Sequence, residues 1–137
     1  MKIYINYEFM NWNDYINKER SNKFCASKIK KRDLDVVRYS TIGMQYKGKY
    51  PIKITFRKYF KDKRQDLDNV RIKGVLDGLV KCGVIKNDNL NVIQKLVLEP
   101  IFDKEKQGIE IEIEEIWFFL LTFWLYYYII IYKKGDK

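Results

Sequence analysis

The sequence predicts an α+β domain of about four strands and two helices, ending in an apolar C-terminal tail. Three observations lead there. Runs that alternate apolar and polar residues recur near the start, the middle and the end of residues 1–116. Two longer segments carry polar capping residues and helix-type spacing. The seventeen residues from Ile116 to Tyr132 contain one strictly polar side chain, Thr122. At 137 residues the chain has the length of a single domain, 1–116, with 117–137 set apart by composition.

The first strand is read from "MKIYINY", where Ile3, Ile5 and Tyr7 alternate with Tyr4 and Asn6. This N-terminus lacks the continuous apolar stretch of a signal peptide. From Asn13 to Tyr39 no proline or glycine interrupts the chain, and the spacing predicts one helix, capped by Asn13 or Asp14. It carries a basic cluster, Lys28, Lys30, Lys31 and Arg32. "PIKITFR" at 51–57 is the second strand, with Ile52, Ile54 and Phe56 on one face and Lys53, Thr55 and Arg57 on the other. The second helix is expected over Asn69–Lys81, capped by Asp68 or Asn69 and stopped by Gly83. Its apolar stripe is Ile72, Val75, Leu76 and Leu79. "NVIQKLVLEPIF" and "GIEIEIEEI" then read as two strands joined by "DKEKQG".

Charge narrows the partner. Lys and Arg number 27 against 18 Asp and Glu, a formal net charge of +9, which favours a polyanion such as nucleic acid. Between Lys47 and Arg64 stand eight basic residues and one acid, Asp62, interleaved with aromatics. Lys53, Arg57, Lys58, Lys61, Lys63 and Arg64 are therefore the candidate phosphate contacts. There is no histidine, and Cys25 and Cys82 form no CxxC pair, so neither a zinc site nor a disulfide framework is suggested. A reduced, cytoplasmic compartment fits, and any metal would be a hard, oxygen-bound one.

The stretch "DLDNVRIKGVLDGLVKCGVIKNDN", 66–89, sets three carboxylates around one predicted helix in this basic chain. If Gln65–Asp68 is extended, Asp66 and Asp68 project to the same side about 7 Å apart. Asp88 follows in a polar turn. Lys73, Asn69 and Asp77 recur every four residues on one helix face, with Lys73 one turn in and aimed back toward the aspartates. The stretch is no EF-hand, because Val70 and Arg71 occupy positions that need an oxygen ligand and a glycine.

These residues carry a resemblance. "DLDN", a helical Lys, "LDGLVKCGVI" and a closing "NDN" resemble the RusA family of crossover (Holliday) junction endodeoxyribonucleases, particularly phage and prophage members. "NWNDYINKERSNKFCASKIKK" is similar to that family's first helix, so the likeness spans residues 1 to about 116. It implies a small mixed sheet, a homodimer, and magnesium, or manganese in its place, bound by Asp66, Asp68 and Asp88. It also implies assistance from Lys73, with Asn69 and Asp77 as supporting positions. Two features depart from the family pattern. The interval from Asp68 to Lys73 is one residue longer than in founding members, and the usual paired aspartates after the helix read Asn87-Asp88.

The function expected on this basis is magnesium-dependent hydrolysis of phosphodiesters at four-way DNA junctions, in recombination and repair. Two alternatives stay open: a non-catalytic DNA-binding protein, and a membrane-tethered variant. The second rests on the tail, Ile116–Tyr132 followed by "KKGDK", whose length as a helix, about 25 Å, is marginally short for a bilayer core of about 30 Å. An anchor, an element buried at a dimer interface, and a product of frameshift or read-through are its three readings.

Overall fold

The computed structural model describes residues 1–116. The tail and its three readings lie outside the described residues. In chain order the elements are β1 (Lys2–Ile5), α1 (Trp12–Ser21), α2 (Lys23–Ser40), β2 (Ile52–Phe60), a 3-10 turn (Leu67–Asn69), α3 (Lys73–Lys81), β3 (Ile93–Phe102) and β4 (Ile109–Glu115). The four described strands form one mixed sheet in the order β1-β4-β2-β3. β2 runs parallel to β3, while β1–β4 and β2–β4 are antiparallel. The expected α+β mixed sheet is therefore present, with three α-helices instead of two.

The extra helix comes from Asn22. Its backbone is extended (φ −159°, ψ 111°), its N–H closes α1 on the Lys18 carbonyl at 2.9 Å, and its side chain accepts from the Phe24 N–H at 2.9 Å. One asparagine thus ends one helix and caps the next, breaking the expected single helix without proline or glycine. The cap of α1 is Asn11, which accepts from the Asp14 N–H at 2.8 Å. Folding back of α1 gives a small second core of Tyr15, Ala26 and Ile29.

The main core lies on one face of the sheet. Ile3, Ile5, Ile52, Ile54, Phe56, Ile109, Ile111 and Ile113 pack there beneath Val37 of α2 and Val75 and Leu79 of α3. Strand alternation sends Glu110, Glu112 and Glu114 to the opposite, open face. Gly78 has its reason in this layer: a Cβ there would meet Val37 at 2.8 Å. Gly83, at φ +73°, ends α3 as expected, with Val84 N–H returning to the Leu79 carbonyl at 2.9 Å. β3 and β4 are consecutive in sequence but not adjacent, since β2 lies between them. The 103–108 turn crosses the end of β2, where Asp103 N–H bonds the Phe60 carbonyl and Tyr59 N–H the Gly108 carbonyl.

Among the described residues no helix is long and apolar enough to cross a membrane.

Candidate functional site

A cleft of about 530 Å³ opens where the end of β2 meets the segment before α1 and the acidic turn after β2. Glu8, Asp14 and Asp66 line it together with Arg32, Lys58, Arg64 and Arg71. Asn69 lines it too, and its side-chain oxygen accepts from the Asn13 N–H at 2.9 Å, tying the acidic turn to the start of α1.

Asp66 is extended (φ −79°, ψ 131°), but the 3-10 turn begins at the next residue, Leu67. The expected extended Asp66–Asp68 pair is thereby corrected: in a 3-10 turn successive side chains fan out by a third of a turn, and i, i+2 neighbours no longer point the same way. Asp68 is exposed and does not line the cleft.

The second helix is also shorter than its sequence suggests. Val70 is extended (φ −74°, ψ 119°), and α3 begins only at Lys73, so neither Asp68 nor Asn69 caps it. Lys73 stands at the first position of the helix instead of one turn in. Its Nζ is 3.1 Å from Asp77 Oδ1, and both line a second cleft of about 410 Å³ with Trp12, Tyr15, Lys30 and Lys81. The expectation that Lys73 is aimed at the aspartates gives way to an i, i+4 pair on the far side of Arg71.

Asp88 stands at the other end of the molecule. β2 and β3 start together, Ile52 beside Ile93, and end together, Phe60 beside Phe102. Asp66 follows the end of β2, whereas Asp88 precedes the start of β3, where Lys86 N–H reaches the Tyr50 hydroxyl at 3.3 Å. The ends of a nine-residue strand lie about 30 Å apart, which sets the two carboxylates near opposite ends of the β2–β3 pair. Accordingly, no group of three or more Asp, Glu or Cys among the described residues stands close enough to hold a metal ion. Asp88 itself occupies a turn organised by Asn87, whose side-chain oxygen accepts from the N–H groups of Asp88 and Asn89.

The basic strip divides in three. Lys53 and Arg57 face the open side of the sheet and are committed to its glutamates. Lys53 pairs with Glu114 at 2.6 Å, and Arg57 reaches Glu99, Glu110 and Glu112 at 2.8, 3.0 and 2.8 Å. Hydrogen bonding to Glu112 holds the Arg57 guanidinium above its usual range and draws the Glu112 carboxyl below its own. Lys58 projects to the other face. Its side chain is 9 % exposed, and its Nζ lies 2.6 Å from both Glu8 oxygens at the cleft wall. Lys61, Lys63 and Arg64 are exposed beyond the strand. Lys63 lies over the Phe102 ring at 5.0 Å, and Arg64 pairs with Asp62 at 2.8 Å while lining the cleft.

One element of the site escaped the sequence reading: the ion pair of Asp33 and Arg71, with side chains 1 % and 4 % exposed. The Arg71 guanidinium also donates through Nε to the Met10 carbonyl at 3.1 Å and lies 4.6 Å from the centre of the Tyr15 ring. It forms the partition between the two clefts, lining both. A signal for it exists in the sequence. Ala26, Ile29, Asp33 and Val37 are the buried residues of α2, and a carboxylate in such a stripe requires a buried cation.

No model of a known protein family matches the chain, and no curated protein matches it significantly.

Proposed function

We propose that the protein is a magnesium-dependent endodeoxyribonuclease acting on branched DNA, four-way junctions foremost, with Asp66 at its working centre. The observation that carries this reading is the composition of the Asp66 cleft: an exposed carboxylate and several cations line one cleft, at the end of a strand that leads from the basic strip. A phosphodiester needs both. Cations hold the phosphate, and carboxylate anchors the divalent ion that supplies an activated water. Magnesium typically takes only one or two protein carboxylates and completes its shell with water and substrate phosphate, which suits the carboxylate of Asp66 in this cleft. Arg64, itself exposed, exchanges its half-exposed partner Asp62 for DNA at small cost, because ion pairs at the surface contribute little. Arg32 and Lys58 complete the cationic wall. Junctions have two-fold symmetry, which a homodimer matches. The reading assigns the protein to the cytoplasm, where DNA and magnesium meet.

A second reading, a non-catalytic DNA-binding module, draws support from the separation of Asp66 and Asp88 within one chain. Incubation of the full chain with a synthetic four-way junction separates the two. Nicking that requires magnesium and stops with chelator is expected; equal binding with and without magnesium, and intact strands, would leave the binding module.

A further inference from the structure

We propose that the second cleft, on the far side of Arg71 from Asp66, binds a nucleotide that carries a terminal phosphate, with the phosphate at the start of α3 and the base against Trp12. This site is independent of the nuclease reading, and it gives a role to Lys73, which lines the cleft with Asp77.

The anion site begins with Arg71. Its side chain is 4 % exposed, yet its guanidinium is only partly used: Nη2 goes to Asp33 Oδ2 and Nε to the Met10 carbonyl. Among the described residues Nη1 has no hydrogen-bond partner and neither has Asp33 Oδ1, so a single bond joins a pair that could make two. Gly74 shows where the spare donor lies. A Cβ on Gly74 would stand 2.9 Å from Nη1, and Gly74 lines the second cleft but not the first. Nη1 therefore faces the second cleft, at the first turn of α3. That turn adds two donors of its own: Ile72 supplies no side-chain cap, and among the described residues the N–H groups of Lys73 and Gly74 have no partner. A buried cation with a free donor and an uncapped helix start thus meet at Gly74, an arrangement that holds phosphate.

Charge and size define the ligand further. Lys30, Lys73 and Lys81 join Arg71 on the lining against Glu19 and Asp77. A phosphate monoester, at about −1.5 to −2, matches that excess of cations better than a diester does. The Lys73–Asp77 pair is exposed, so Lys73 exchanges it for a ligand at small cost. The cleft follows α3 from Lys73 to Lys81, about 12 Å by helical rise, and holds about 410 Å³, room for a nucleotide and more than a bare anion needs. Trp12, set edge-on to Tyr15 at 6.0 Å between centroids, lines it too and offers the base a stacking partner beside the cations.

Calorimetric titration of the full chain with deoxyadenosine 5′-monophosphate (dAMP), in chelator so that no strand is cut, tests the site. One dAMP per chain is expected, bound about tenfold or more tighter than deoxyadenosine or inorganic phosphate. Gly74→Ala, which crowds Nη1, and Lys73→Ala, at an exposed side chain, should each weaken dAMP about tenfold, whereas Lys61→Ala with Lys63→Ala should not. Lys73→Ala should melt like the wild type, so it carries the test if Gly74→Ala fails to fold. A free nucleotide and a strand end share this chemistry. Displacement of dAMP by a 5′-phosphorylated single strand, but not by its 5′-hydroxyl twin, assigns the cleft to strand ends; displacement by neither assigns it to free nucleotides. No dAMP binding at millimolar concentration, equal affinity for inorganic phosphate, equal losses in Lys73→Ala and the Lys61, Lys63 variant, or equal displacement by the two strands would overturn the assignment.

Discussion

On the open face of the sheet, Lys2, Lys53 and Arg57 meet Glu99, Glu110, Glu112 and Glu114 at distances of 2.6–3.4 Å. In the Asp66 cleft a similar number of charges is arranged differently. Among the described residues Arg64 is held only by the half-exposed Asp62, and Asp66 stands exposed in the same cleft as Arg32. The first region is a lattice in which strand register sets Lys2, Lys53 and Arg57 against glutamates. The second leaves charge available to a ligand. Net charge therefore says little about where a polyanion binds: of the six cations nominated on β2 and beyond, two are used up inside the sheet.

The largest stability effect should come from the partition beside the cleft. Asp33→Ala would leave the Arg71 guanidinium buried without its counter-ion, a loss of about 3–5 kcal/mol. Urea unfolding measures it; a loss under about 1 kcal/mol would mean that Arg71 finds water or another acceptor.

Next in size is the response of DNA binding to salt. Lys61→Ala with Lys63→Ala should lower the slope of log K against log salt by about 2 in magnitude, whereas Lys53→Ala should leave it unchanged. Equal effects from the two sets would erase the distinction between lattice and cleft.

A smaller effect belongs to the lattice itself. Glu112 has a folded pKa below its unfolded one, chiefly through the Arg57 hydrogen bond, so its contribution is present above the normal carboxylate range and lost as pH falls through the folded value. Arg57→Ala should lower Tm by a few degrees at neutral pH and by less in acid, with junction affinity unaltered. A deficit that persists at low pH would contradict this origin. Smallest of all, Lys73→Ala should change cleavage only a few-fold, since Lys73 faces the second cleft and Asp77.

Much of the fold could be read from period-two alternation, because β2 and β4 bury the isoleucines at 52, 54, 109, 111 and 113 and nothing competes with that pattern. The α3 stripe and its Gly83 stop were legible for the same reason. What failed was local competition between backbone states. Asn22 looks like any polar helix residue until its side chain caps the next helix, and Val70 looks helical until buried Arg71 must reach Asp33. The site suffered most, since Asp66, Asp68 and Asp88 lie close in sequence while a parallel strand pair with an intervening helix sends the last of them to the opposite end. Only contact across the fold separates Lys58, held at the cleft by Glu8, from Arg57 beside it, held in the lattice.

The most direct measurement is junction cleavage by Asp66→Asn in magnesium, beside wild type and a thermal melt of both. Asn keeps the shape and removes the charge. Asp66 has an extended backbone and makes no side-chain cap bond, so the fold has no need of its carboxylate. The expected result is an unchanged melt, retained junction binding and cleavage reduced by orders of magnitude. Cleavage at the wild-type rate by this variant would contradict the assignment of the cleft as the catalytic centre.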